Sequence, residues 1–294
     1  MSAVLARLDA YEKLVRLDKP VGILLLLWPT LWGLWIAADG IPDWRFLWIF
    51  VMGTVLMRSS GCAINDYADR RFDGEVKRTR ERPLPAGTIR PEEAVLVAAT
   101  LALCAFLLVV WTMNRLTIGL SVAAGAIAAI YPFTKRFLAV PQAWLGLCFG
   151  FGIPMAFAAV QNDVPPLAWA LLAANLLWVL AYDTEYAMVD RDDDQRIGIR
   201  TSALFFGRHD VAAVMACYAL FVGALAAIGI WQDWKLFFFL GLLAALAIAL
   251  LHYAWIRTRS REGCFRAFRH NHWIGLAVFA GVVLDRIDWT SIAG

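Results

Sequence analysis

The chain has 294 residues, 61% of them hydrophobic and 17% charged, with a formal net charge of +3 and a mean hydropathy of +0.63. Soluble domains are about 45–50% apolar and about 25% charged, and a globule of this length still needs a polar coat. The composition therefore excludes an ordinary soluble enzyme, a disordered chain and a disulfide scaffold, and leaves an integral membrane protein; the small net charge also gives no reason to expect nucleic acid as a partner.

Residues 1–17 come first. Val4, Leu8, Tyr11 and Val15 fall on one helical face, with Arg7, Glu12, Lys13 and Arg16 elsewhere, the pattern of an amphipathic helix lying on a membrane surface. No signal peptide is expected, because the amino terminus has no short apolar core followed by a small-residue cleavage site. Apolar stretches of spanning length, about 20 residues, then recur near 21–38, 44–63, 94–113, 116–133, 140–160, 166–182, 211–231, 236–256 and 267–284. The last has a short strictly apolar part, with His270 and His272 at its start.

Basic residues set orientation independently, since they accumulate on the cytoplasmic side. With nine spans and a cytoplasmic amino terminus, only Arg45, Arg115, Lys235 and Arg286 of the 27 Lys and Arg fall on the far side, and Arg58 lies within a span. The expectation is nine transmembrane helices, amino terminus in. The five Cys form no CxxC pair and the four His show no zinc spacing, so neither redox nor zinc chemistry is indicated.

Seven of the 24 acidic residues lie in 64–93 and seven in 183–210, both on the cytoplasmic side and each after an even-numbered span. In NDYADRRFD, Asn65, Asp69 and Asp73 are spaced i, i+4, i+8. In YDTEYAMVDRDDD, Asp183, Asp190 and Asp194 are spaced by seven and four. Each set occupies one helical face, with Asp192 and Asp193 pointing elsewhere. Like charges stacked this way repel, more so beside a low-dielectric membrane, and call for a cation. Mg²⁺ suits carboxylate oxygens and leaves room for substrate phosphates. The bland reading is that these are solvated loop acids paired with neighbouring Arg. Two clusters at equivalent places, in a possible repeat of two four-helix halves, argue for the metal.

Carboxylates with Mg²⁺ and Lys or Arg are the usual apparatus for gripping a diphosphate. Lys77, Arg78, Arg80 and Arg82 stand near the first cluster, although the same residues also carry the positive-inside signal. Lys135 sits one helical turn after Tyr131 at a span end in YPFTKR. Arg58, seven residues before Asn65, must face a polar cavity or an anion. It reads either as a partner for one of the Asp residues or as a clamp for a substrate carboxylate, which suits its planar donors.

Four segments, DKPVGILLLLWPTLWGLW, GCAINDYADRRFDGEVKRTRERPLPAG, YPFTKR and AYDTEYAMVDRDDDQRIGIRTSALFFG, resemble the UbiA superfamily of membrane prenyltransferases, and within it the 4-hydroxybenzoate branch of ubiquinone biosynthesis. The resemblance runs nearly end to end. It implies an all-α integral membrane protein forming a single domain over 1–294, with nine helices around a central cavity open to lipid, in the bacterial inner membrane with the active site facing the cytoplasm. It implies that Asn65, Asp69, Asp73, Asp183, Asp190 and Asp194 hold two Mg²⁺ on a polyprenyl diphosphate. Tyr131 and Lys135 match the YxxxK diphosphate contact, with Lys77 and Arg78 beside it, and Arg58 matches a position for the aromatic acid. Asp69, Asp73, Asp190, Asp194 and Lys135 would then carry catalysis, joining a prenyl group to 4-hydroxybenzoate. A transporter with a carboxylate-lined site is the competing class; the acids stand at span ends instead of the midplane where such sites lie. A phospholipid-type phosphotransferase would carry a DGxxAR signature, which the chain lacks.

Overall fold

The computed structural model describes residues 3–71 and 73–287. Among them the regular structure is helical, with no strand. In chain order the helices are α1 (Ala3–Leu14), α2 (Val21–Ala38), α3 (Trp44–Asp69), α4 (Pro91–Thr112), α5 (Arg115–Thr134), α6 (Pro141–Gly150), α7 (Gly152–Gln161), α8 (Pro166–Ile197), α9 (Ser202–Phe206), α10 (Asp210–Trp231), α11 (Leu236–Ile256), α12 (Arg261–His270) and α13 (His272–Asp285). A bilayer offers no water to the backbone, so helices satisfy it internally.

Eight segments are long and apolar enough to cross a membrane: α2, α3, α4, α5, the α6–α7 pair, α8, α9 with α10, and α11. They fall on eight of the nine expected spans. The ninth, expected at 267–284, is divided at Asn271, where α12 ends and α13 begins. The 14 residues of α13 rise only about 21 Å against a hydrocarbon core of about 30 Å, so α13 falls short of the length criterion. Two expected spans run longer than their apolar parts: α3 continues to Asp69 and α8 to Ile197. The 32 residues of α8 rise about 48 Å, more than a bilayer core requires, and the surplus turns carry acids.

The centre of the bundle is aromatic. Trp178 of α8 lies 5.5 Å from Trp32 of α2 and 5.8 Å from Phe221 of α10, ring centre to ring centre, and all three are buried. The outward faces of α4, α5 and α11 expose Leu96, Leu103, Val122, Ile130, Leu243 and Leu250, as lipid-facing surfaces do. The α1 helix docks by Ala10 and Leu14 on Ala63, Ile89, Ala94 and Ala98, at the end of the bundle that carries the acids. Of the apolar face read from the sequence, Val4 and Leu8 stay exposed while Tyr11 and Val15 are half-buried.

Candidate active site

Both acidic motifs open onto one cavity of about 170 Å³. Asn65 and Asp69 reach it from the last turns of α3. Asp73 follows just beyond, its backbone N–H donating to the Asp69 carbonyl at 2.9 Å, so the helical spacing continues past the helix end. Asp183, Asp190 and Asp194 reach it from α8, and Tyr131 and Lys135 from the end of α5. All six oxygen-bearing groups picked out by helical spacing are thus brought together. Asp192 and Asp193 point away, as that spacing requires: Asp192 is exposed, and Asp193 pairs with Arg261 at 3.2 Å and Arg196 at 3.3 Å.

Three bases balance these carboxylates. Lys135 Nζ pairs with Asp69 Oδ2, which also accepts from Asn65 Nδ2 at 3.3 Å. Arg78 Nε donates to Asp190 Oδ2 at 2.8 Å, joining the loop after the first motif to the second. Arg82 spans Asp73 and Asp66, 3.0 Å from each, and Arg16 holds the other side of Asp66 at 2.9 Å. Burial opposes the charge on Arg82, but Asp66, Asp73 and Tyr186 outweigh it and raise the guanidinium above its ordinary pKa. Asp66, adjacent to the motif in sequence, is a buried anchor for two arginines and does not line the cavity.

The basic loop resolves unevenly. Arg78 and Arg82 turn inward around the buried Val76 and Thr79, whereas Lys77 and Arg80 are exposed. Lys77, expected beside the diphosphate, is not brought to the cavity, because it points outward between the inward-turned Val76 and Arg78. Arg82 carries a contact that sequence spacing did not single out. Arg200, also on the lining, was missed because it too reads as one more basic residue on the cytoplasmic side.

Arg58 does not line this cavity. Among the described residues it has no carboxylate within ion-pair distance, although Asp183 of α8 is close enough to interact with it electrostatically. Its terminal nitrogen donates to Cys62 Sγ at 2.6 Å, and Cζ stands 5.7 Å from the Phe149 ring centre.

The donor set fits a hard divalent cation. The six groups offer carboxylate and amide oxygens, with no thiol or imidazole on the lining, and Oδ1 of Asp69 is buried without a partner. Among the described residues no three His, Cys, Asp or Glu side chains converge on a single ligation point. A cation here would complete its shell with water and substrate oxygens, the habit of Mg²⁺.

Residues 26–275 match the UbiA prenyltransferase family. The chain belongs to the UbiA prenyltransferase family. UbiA relatives of high similarity include the 4-hydroxybenzoate octaprenyltransferase of Herminiimonas arsenicoxydans, 61% identical over 95% of this chain and 98% of that protein. The protein of the same name from Nitrosomonas europaea is 60% identical over 96% of each chain. Among solved structures, the apo form of a UbiA homolog from Aeropyrum pernix K1 superposes with a TM-score of 0.79 at 23% identity, over 90% of this chain and 98% of that one. A UbiA homolog from Archaeoglobus fulgidus bound to GPP and Mg²⁺ gives 0.72 at 18% identity, over 94% and 99%. At these identities the structural likeness is one of fold; the family match and the eight apolar helices of spanning length make this chain a multi-pass, all-helical membrane protein.

Proposed function

We propose that this chain is an Mg²⁺-dependent 4-hydroxybenzoate polyprenyltransferase. It moves the prenyl group of an all-trans polyprenyl diphosphate to the carbon ortho to the hydroxyl of 4-hydroxybenzoate, releasing diphosphate and giving 3-polyprenyl-4-hydroxybenzoate for ubiquinone synthesis. The observation that carries this reading is the meeting of carboxylates from α3 and α8 with Lys135, Arg78 and Arg82 around one cavity. Relatives about 60% identical bear the name of that reaction.

Asn65, Asp69 and Asp73 on one side, and Asp183, Asp190 and Asp194 on the other, would hold two Mg²⁺ ions. When bound, Mg²⁺ supplies charge neutralisation to the diphosphate as it leaves. The chain's own bases do the rest. Lys135, Arg78 and Arg82 exchange their carboxylates for diphosphate oxygens, and Tyr131 donates its hydroxyl to the same group. These preset donors stabilise negative charge as the allylic carbon–oxygen bond breaks, and the water-poor bundle protects the resulting cation. Arg58 holds the carboxylate of the aromatic acid and so orients the ring. The carbon ortho to the hydroxyl attacks the allylic cation, forming the carbon–carbon bond, and its proton passes to the released diphosphate or a motif carboxylate, which restores aromaticity.

In this reading the protein lies in the bacterial inner membrane with its amino terminus and active site on the cytoplasmic side. The α1 helix rests in the interface through Val4 and Leu8, and α13 completes nine crossings as a short final span. Lys77 contributes to the local positive potential without touching substrate.

The test uses washed membranes containing the chain, labelled 4-hydroxybenzoate and a polyprenyl diphosphate, with Mg²⁺ or EDTA. The expected result is label in a lipid-soluble product only with Mg²⁺. Absence of product with Mg²⁺, where the protein is present in the membrane, overturns the reading.

A further inference from the structure

Two buried donors in the bundle interior have no hydrogen-bond acceptor among the described residues. The Tyr182 hydroxyl, on α8 next to Asp183, is 1% exposed and without a hydrogen-bond partner among the described residues. The Nε of Arg58 on α3 is likewise buried and unpartnered. Both side chains border the same ring: Phe149 lies 5.7 Å from Arg58 Cζ and 6.4 Å from the Tyr182 ring centre.

The guanidinium is also placed closely. A Cβ at Gly22 on α2 would stand 2.6 Å from one terminal nitrogen of Arg58, 2.7 Å from Nε and 3.0 Å from Cζ. The bare backbone of α2 therefore forms the shelf on which Arg58 lies, and any side chain at residue 22 would displace it. Among the described residues Arg58 makes one hydrogen bond, to Cys62 Sγ, which is a weak acceptor.

A guanidinium Nε–H and a phenol O–H that border one ring without acceptors among the described residues are complementary to an anion. A buried donor left unpaired carries an uncompensated desolvation cost, larger when it is charged, and a ligand bringing acceptors removes that cost. A planar carboxylate suits the guanidinium fork, and an attached aromatic ring suits the Phe149 and Tyr182 faces.

We propose that Tyr182 is a specificity-determining residue, its hydroxyl donating to the acceptor carboxylate beside Arg58, and that Gly22 is a positioning residue that acts through Arg58. The inference rests on the proposal that this chain prenylates an aromatic acid. Its consequence is that the protein selects acids over neutral phenols by satisfying donors that a neutral acceptor leaves unpaired, the arrangement that discriminates most strongly.

Wild type, Tyr182→Phe, Gly22→Ala, Arg58→Ala and the Gly22→Ala/Arg58→Ala double variant are compared in membranes at matched protein. The acceptors are 4-hydroxybenzoate and 4-hydroxybenzyl alcohol, which lacks the carboxylate. Tyr182→Phe should raise the KM for the acid about tenfold, equivalent to about 1.4 kcal/mol. It should lower the preference for acid over alcohol by the same factor, and leave kcat and the KM for the diphosphate within about twofold. Gly22→Ala should do the same alone and add nothing to Arg58→Ala. An unchanged acid preference in Tyr182→Phe, or equal KM rises for both substrates, overturns the role of Tyr182. A Gly22→Ala effect that adds fully to Arg58→Ala overturns the role of Gly22. If Tyr182→Phe does not accumulate, competition in wild-type membranes decides: benzoate should inhibit and benzyl alcohol should not, and equal inhibition overturns the proposal. Wild-type membranes that prenylate no aromatic acid remove the underlying reading, and this inference with it. An active wild type with unmoved variants removes this inference alone.

Discussion

Arg78, in the loop after the first acidic motif, donates from Nε to Asp190 of the second at 2.8 Å, so the second motif is neutralised in part from the first motif's side. Asp190 keeps 9% of its side-chain surface and Arg78 27%, and both line the cavity proposed to take the diphosphate.

Arg78→Ala leaves a buried carboxylate without its partner. Such losses cost about 3–5 kcal/mol when both partners are buried; with Arg78 part exposed, about 2 kcal/mol is expected here. Thermal unfolding in detergent should show a lower midpoint, and kinetics a KM for the diphosphate raised at least tenfold. Burial works against the charge on Arg78, but Tyr186 and Asp190 raise its pKa above the ordinary arginine value. The guanidinium therefore stays charged between about pH 6 and pH 9, and its own titration cannot move the ratio of wild-type to Arg78→Ala activity. A ratio that moves through that window would assign the effect to another group.

Asp69→Ala and Asp190→Ala should each abolish turnover while the protein still inserts, since each removes a lining carboxylate and frees a base. Asp192→Ala, at an exposed position of the same helix, should keep activity within about twofold. Equal losses in all three would mean that general acidity of the α8 end matters, and the cavity geometry does not.

Lys77→Ala and Arg82→Ala separate potential from contact. Lys77 is exposed, so its loss should change the KM for the diphosphate less than threefold. Arg82 joins Asp66 to Asp73, and its loss should raise that KM at least tenfold. Steady-state kinetics at fixed ionic strength make the comparison; the reverse order would place the loop differently.

A second polar cluster lies on the other side of α8. The Tyr218 hydroxyl is 3.0 Å from Glu185 Oε1 and 2.9 Å from Asn271 Oδ1, Asn271 Nδ2 donates to Glu185 Oε2 at 2.8 Å, and His252 Nδ1 stands 3.4 Å from Glu185. All four residues are buried, so the cluster ties α8 to α10, α11 and the α12–α13 junction. Interhelical hydrogen bonds in membranes contribute about 0.6 kcal/mol on average and up to about 1.7. Tyr218→Phe should cost about 1 kcal/mol, and a double-mutant cycle with Glu185→Gln should show coupling above about 0.5 kcal/mol. Simple additivity in thermal unfolding would break this account.

The α11–α13 crossing depends on absent side chains. A Cβ at Gly241 would stand 2.6 Å from the Ala277 carbonyl oxygen and 2.9 Å from Gly281 Cα, and backbone atoms cannot rotate away. Gly241→Leu should cost about 1–3 kcal/mol by overpacking. Gly53→Ala, on α3 with nothing within 4 Å, should be neutral or slightly stabilising, as Ala is the better helix former. The two melting points decide it.

Sequence by itself determined what is local or compositional. The 61% apolar content committed the chain to a membrane. The 3.6-residue period placed Asn65, Asp69 and Asp73 on one face, and Asp183, Asp190 and Asp194 on another, because helix geometry is the same wherever the helix sits. Length was less legible: apolar runs show where helices cross, not that α3 and α8 continue into their acids or that the last run divides at Asn271. Tertiary structure alone decided the pairings. Arg78 meets Asp190 across 112 residues of sequence separation, Arg82 turns inward to Asp66 and Asp73 while Lys77 stays exposed, and Arg58 and Tyr182 border the same Phe149 ring. Periodicity relates residues within one helix, whereas these relations arise between helices, where packing, and not spacing, sets which side chains meet.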